Sequence, residues 1–194
     1  GCLLNPDPPA AVVAGNVETS QALCNLLFGA MGVMAAAQGT MNNLSFGDTN
    51  RQYYETVAGG TGAGAGFAGA DGVQSHMTNS RLTDPEILEA RFPVRLETFA
   101  LRRGSGGAGR WRGGDGLVRR LRFLEPMTAS LLTGSRRVAP FGLAGGEPGA
   151  LGCNRLGRRD GSWQFLPACA QVELQPGELL ELMTPGGGGY GPAD

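Results

Sequence analysis

The sequence predicts an α+β chain, with a buried helix and short strands in its front half and an antiparallel, sandwich- or barrel-like β back half. Three observations carry this. Residues 17–37 form a long, largely apolar stretch that runs into 29 consecutive uncharged residues, Thr19 to Gly47. From Val94 onward, short strand-like runs alternate with glycine-rich turns, the pattern of an antiparallel sandwich or barrel. Glycine supplies 34 of 194 residues without a three-residue period, which excludes collagen, while a hydrophobic share of 41% is too high for a disordered chain.

The elements follow in order. Pro6, Pro8 and Pro9 bar a helix from residues 1–15 and point to an extended entry. A helix is expected from Val17 to about Ala37, with Asn16 as its cap. Its apolar residues, Leu23, Leu26, Leu27, Phe28, Met31, Val33 and Met34, lie on all sides, so it should be enclosed on every face. After the polar break QGTMNN, strands are expected at Leu44–Phe46 and Arg51–Ala58. Residues 59–72 are too small in side chain to form a core and read as a loop. Thr83-Asp84-Pro85-Glu86 offers a cap, a first-turn proline and a glutamate three residues after the cap, starting a short helix that stops before Pro93. Strands are then expected at Val94–Leu101, Leu117–Leu124, Ala129–Leu132, Val172–Leu174 and Leu179–Met183. This divides the chain into an α+β segment, 1–93, and an all-β segment, 94–194.

Composition excludes several functions. All 16 basic residues are arginine, so there is no Schiff-base lysine and no lysine-dependent phosphate loop. The single histidine, His76, excludes a multi-histidine metal site within the chain. Residues 1–100 hold four arginines against nine acids, and residues 101–194 hold twelve against eight. These arginines are scattered among acids and glycines with few aromatics, so no nucleic acid is expected as a partner. The apolar run Leu26–Ala37 is 12 residues, too short to span a bilayer. The four cysteines lack C-x-x-C spacing and read as free, buried thiols of a protein in the reducing cytoplasm.

Two stretches match G-x-G-x-x-G, at Gly64–Gly69 and Gly104–Gly109, but neither leads into a helix start, as a dinucleotide site requires. The glycine runs either turn backbone N–H groups toward an anion or oxyanion, or serve turns of positive φ or close packing against another chain. The densest polar cluster, Asp71 to Arg81, contains His76, which is either a structural hydrogen-bonding residue or an acid–base group. Glu18 is either a dipole partner at a helix start or a buried functional carboxylate. Glu55, in a strand, is either on the surface or a buried acid of raised pKa. No complete nucleophilic constellation can be assembled.

Seven segments in order, GNVETSQ (15–21), QGTMNN (38–43), YYETVAGGTGAG (53–64), HMTNSRLTDPE (76–86), RRGSGGAGRWRGGDG (102–116), FGLAGGEPG (141–149) and TPGGGGYG (184–191), resemble the C-terminal part of the hydantoinase B/5-oxoprolinase family. Gln74 and the TDPE stretch at 83–86 fit its oxoprolinase branch. The resemblance implies a fragment of a longer enzyme that uses ATP to open 5-oxo-L-proline to L-glutamate and is inactive alone. ATP and Mg²⁺, with K⁺ as an additional cation, would bind mainly outside this segment, and no metal is expected within it. The implied partners are the N-terminal part of the B-type half and an ATPase-type A half, in a homo-oligomer, with no membrane. Matched polar positions supply catalytic candidates His76, Glu55 and Glu18, and substrate-binding candidates Asn79, Arg81, Asn43, Gly60 and Gly62. The other reading is a structural or subunit-docking module of a hydantoinase or ketone-carboxylase B-type subunit.

Overall fold

The computed structural model describes residues 1–2, 5–10 and 15–193. Positions 3–4 and 11–14 of the expected extended entry lie outside them. The chain is α+β, with two antiparallel sheets packed as a sandwich and not closed into a barrel. Among the described residues two α-helices, α1 (Ser20–Ala30) and α2 (Pro85–Arg91), accompany nine strands. The strands are β1 (Asn43–Gly47), β2 (Gln52–Thr56), β3 (Val94–Arg102), β4 (Gly116–Phe123), β5 (Met127–Leu132), β6 (Cys153–Gly157), β7 (Trp163–Leu166), β8 (Cys169–Leu174) and β9 (Leu179–Met183). One sheet runs β2-β1-β5-β8 and the other β3-β4-β9-β6-β7. The first sheet joins β1 and β2 to strands beyond residue 94, so the change in sequence pattern there does not divide the core.

Period-two alternation builds that core. On β5, Met127, Ala129 and Leu131 point inward, and on β4, Leu117, Leu121 and Phe123 do the same. Phe46 anchors the centre, its ring 4.9 Å from Tyr53, 5.3 Å from Phe123 and 5.8 Å from Phe92. Arg119 occupies an inward position of β4 among these apolar residues. It is neutralised by Glu55 of β2 across the sandwich, with Nε 2.5 Å from Oε1 and Nη2 2.8 Å from Oε2. Tyr53 donates to the same carboxylate at 2.9 Å. Each ion-pair side chain is only 2% exposed. A buried charge of this kind is tolerable only when its partner and further hydrogen bonds are present.

The glycine-rich segments form a layer of their own. Extended runs at 59–64, 105–116, 140–149 and 185–191 lie side by side, bonded backbone to backbone. Gly60 N–H donates to Pro185 O, Ala63 N–H to Gly188 O, Gly107 N–H to Gly187 O and Gly187 N–H to Gly114 O, at 2.8–3.0 Å. A Cβ on Gly62 would lie 1.8 Å from the Ala35 carbonyl oxygen, and one on Gly187 1.8 Å from that of Thr61. Close packing of backbones within the chain, not against another chain as expected, therefore accounts for these runs.

Three local expectations are corrected. The first helix does not run from Val17 to Ala37. A π-helical turn over Gly15–Thr19 leads into α1, and Gly32, at φ +69°, ends it. Ala35–Ala37 instead thread extended into the glycine layer, where only small side chains fit. Nor is α1 enclosed: Leu26 and Leu27 are 62% and 58% exposed, while Gln21 and Asn25 are buried. The cap of α2 is Asp84, one residue later than Thr83, its Oδ1 accepting from Glu86 N–H at 3.0 Å. β6 and β7 were not expected, because CNRLG lacks an apolar alternation and WQFL is only four residues long; inward-facing Asn154 is held by hydrogen bonds.

Candidate functional site

Glu18 lies in the π-helical turn before α1, against the QGTMNN segment. Its Oε1 accepts from Thr40 Oγ1 at 2.8 Å, Asn43 Nδ2 at 3.0 Å and Met41 N–H at 3.2 Å. Oε2 takes no hydrogen bond among the described residues and faces Gly134, where a Cβ would stand 3.1 Å away. Burial raises the Glu18 pKa above the ordinary carboxylate range, against the opposing pull of these hydrogen bonds and of the Arg136 charge. The carboxyl group is thus anchored through one oxygen and offers the other.

Asn43 carries the arrangement outward. Tyr54 donates its hydroxyl to Asn43 Oδ1 at 2.6 Å. Burial, and then the Glu18 charge, raise the Tyr54 pKa, so the phenol keeps its proton. Alternation on β2 explains the division of labour: Tyr54 points out toward this site, and its neighbour Glu55 points into the core. Asn16, Val17, Asn43, Ser45, Tyr54 and Ser130 are among the residues bordering a cleft of about 410 Å³ on this side of the β2-β1-β5-β8 sheet.

Behind Glu18 lies Arg136, which sequence reasoning did not single out. Its Nη1 donates to Asn42 Oδ1 and Gly134 O, both at 2.7 Å, and its Nε and Nη2 donate to Asn154 Oδ1 at 3.2 and 2.7 Å. All these acceptors are neutral. Burial brings the guanidinium pKa down to about 10. Thr40 joins the two charged groups: its hydroxyl donates to Glu18 and accepts from Gly134 N–H at 2.8 Å. Asn42, at φ +46°, turns its side chain back toward Arg136. The signal in the sequence was the amide-rich QGTMNN, which reads equally well as a turn.

The other candidates lie elsewhere. His76, at φ +57°, places Nε2 2.9 Å from Asn25 Oδ1 and its ring 5.5 Å from Phe28. Burial lowers its pKa, keeping the imidazole neutral. Among the described residues no hydrogen bond joins it to Glu18, Asn79 or Arg81, and the latter two are exposed. Glu55 is committed to Arg119. Gly60 and Gly62 are enclosed by backbone, a Cβ on Gly60 meeting the Gly114 oxygen at 1.9 Å. Of the eight candidates, the structure brings together Glu18 and Asn43.

Among the described residues no three His, Cys, Asp or Glu side chains gather in a way that could hold a metal ion. The glycine-run N–H groups named above donate to neighbouring carbonyls, so they form no phosphate cradle. No helix of the described residues is long and apolar enough to cross a membrane.

The chain belongs to the hydantoinase B/oxoprolinase family, whose family model matches residues 1–193. It is 47% identical over 194 residues to a 5-oxoprolinase of Dictyostelium discoideum, and 49% identical over 191 residues to 5-oxoprolinase 1 of Arabidopsis thaliana. These matches cover 100% and 98% of this chain but only 15% of either relative, so the chain spans about one seventh of their length. Among solved structures it is similar to the ATP-dependent caprolactamase of Pseudomonas jessenii, with a TM-score of 0.69 and 29% identity, over 82% of this chain and 30% of that one.

Proposed function

We propose that this chain is the C-terminal part of a longer ATP-dependent cyclic-amide hydrolase of the 5-oxoprolinase type, inactive by itself. The observation that carries this reading is the 47–49% identity to 5-oxoprolinases along essentially the whole chain. The reaction is 5-oxo-L-proline, ATP and water to L-glutamate, ADP and phosphate. ATP, Mg²⁺ and a monovalent cation such as K⁺ are assigned to the remainder of the B-type half and to an ATPase-type A half. The assembly is a cytoplasmic homo-oligomer without nucleic-acid or membrane partners.

Within this segment Glu18 is the residue assigned to the chemistry. A carboxylate of raised pKa beside a cleft is suited to accept a proton from an attacking water. Asn43 and Thr40 hold its anchored oxygen, and Tyr54 fixes Asn43. His76, Asn79 and Arg81 are retained as candidates for substrate contact only through surfaces supplied by the remaining polypeptide.

The test is ATP-coupled glutamate formation by the full-length polypeptide. Parent enzyme should release ADP only with 5-oxoproline, and Glu18→Gln should lower kcat about 100-fold or more, as loss of a general base does. Lactam-independent ADP release by the parent would overturn the enzyme reading. Full activity in Glu18→Gln would remove Glu18 and leave a subunit-docking module as the role of this segment. Similarity to a caprolactamase favours a second reading, a larger lactam ring as substrate, which a panel of lactams of increasing ring size separates from the first.

A further inference from the structure

Helix α1 is built inside out. A surface helix ordinarily turns its apolar residues toward the core and its polar residues to water. Here the inward residues are Gln21, 0% exposed, and Asn25, 8% exposed. Gln21 Nε2 donates to Ser75 O at 3.1 Å, and Asn25 pairs through both side-chain atoms with the Ala37 backbone at 2.9 and 3.1 Å. The outward face carries Leu26 (62% exposed), Leu27 (58%) and Met31 (63%), and continues through Val33 (47%) to Phe67 (46%). Gly64 brings the Phe67 ring up to the Val33 backbone: a Cβ there would lie 2.3 Å from the ring and 2.9 Å from Val33 O. No charged residue occurs from Thr19 to Gly47, so nothing on α1 solvates this face.

We infer that the face formed by Leu26, Leu27, Met31, Val33 and Phe67 is a docking surface for an uncharged, apolar face of the additional polypeptide in which relatives embed this region. The inference rests on the proposed function's reading that this chain is part of a longer polypeptide. Two observations choose this occupant. The region makes up 15% of the 5-oxoprolinases and 30% of the caprolactamase chain, so relatives bring a large further surface to it. The face is also narrow: five apolar residues fall far short of the roughly 20–30 residues a side found in stable dimers. A surface that small holds a covalently tethered neighbour, whose effective concentration is of millimolar order, better than a free second copy.

Hydroxyl-radical footprinting of the full-length polypeptide tests the inference. Phe165, 73% exposed on edge strand β7, is the internal reference. Leu26, Leu27 and Met31 should be modified at least tenfold more slowly than their exposure in this chain predicts relative to Phe165. Modification in proportion to that exposure would mean an open face and would overturn the inference. The double variant Leu26→Glu/Leu27→Glu should restore rapid modification of Met31; continued protection of Met31 would also overturn it. Dimers of the 194-residue chain that this double variant abolishes would assign the face to a second copy instead. Footprinting reads coverage whether or not the polypeptide opens a lactam, so it fails separately from the activity assay. A native gene product of only 194 residues would refute the longer-polypeptide reading itself.

Discussion

Replacing Gly62 by alanine is a direct test of the glycine layer. The new Cβ would start 1.8 Å from Ala35 O and 2.5 Å from the Ala35 carbonyl carbon. A carbon–oxygen contact needs more than 3 Å, so one backbone must retreat by over an ångström. Neither segment can do so alone. Ala35 N–H donates to Ala63 O at 2.8 Å, and Ala63 N–H donates to Gly188 O at 2.9 Å, in a region where Ala35 and Ala63 are 1% and 0% exposed. Parting them leaves at least two buried backbone groups unsatisfied, each costing about 1–3 kcal/mol, with overpacking strain added. The expected loss is about 3–5 kcal/mol, read as a fall in the denaturation midpoint. Gly15→Ala is the control, because nothing lies within 4 Å of its Cβ position; it should change stability by less than about 1 kcal/mol in either direction. If Gly62→Ala unfolds within 1 kcal/mol of the parent, close backbone packing is not what requires glycine there.

Other predictions follow from the charges. Arg119→Met leaves Glu55 buried without its partner and should cost about 3–5 kcal/mol; adding Glu55→Gln should recover part of that in a double-mutant cycle, and strictly additive losses would show the pair to be uncoupled. Glu18 has its pKa raised by burial, so the folded state prefers it protonated, and its contribution to stability declines as pH rises through that value. Glu18→Gln should therefore match or exceed the parent's Tm at pH 7 while losing activity; a lower Tm at pH 7 than at pH 4.5, measured relative to the parent, would contradict the sign. His76 has its pKa lowered, so its contribution is complete above the unfolded value near 6.5 and is lost as pH falls toward the lower folded value. An NMR titration of the imidazole should show a midpoint below about 6.5, and one above it would remove burial as the controlling influence.

The strands with apolar alternation were legible because their signal is local. Leu179–Met183 is found as expected, and the runs at 94 and 117 differ by a residue at their ends. The inverted helix was not legible, because apolar residues on every side of a sequence do not say which side has a neighbour. The glycine runs announced close approach without saying to what, since their partners lie far away in sequence: Gly62 faces Ala35, and Gly187 faces both Thr61 and Gly114. The same limit hid most of the site. Glu18 and Asn43 stood out as polar residues in apolar or motif-like surroundings. Arg136 did not, because one arginine among 16 is marked only by burial and by neutral partners that the folded chain supplies.

The glycine layer also sets an order of assembly. Its four runs are separated by up to about 125 positions, and each is among the most flexible kinds of chain before folding, so bringing them together costs more entropy than forming β1–β2 or α2–β3. The run at 59–64 has partners close in sequence, Thr61 N–H donating to Ala70 O and Val73 N–H to Gly59 O, at 3.1 and 3.0 Å. During synthesis the segment 59–64 can pair first with residues 35–38, 67–73 and 114, and its bonds to Pro185 and Gly188 form only once 185–191 has emerged. The seam between 59–64 and 185–191 is thus closed late, and its long sequence separation favours slow folding.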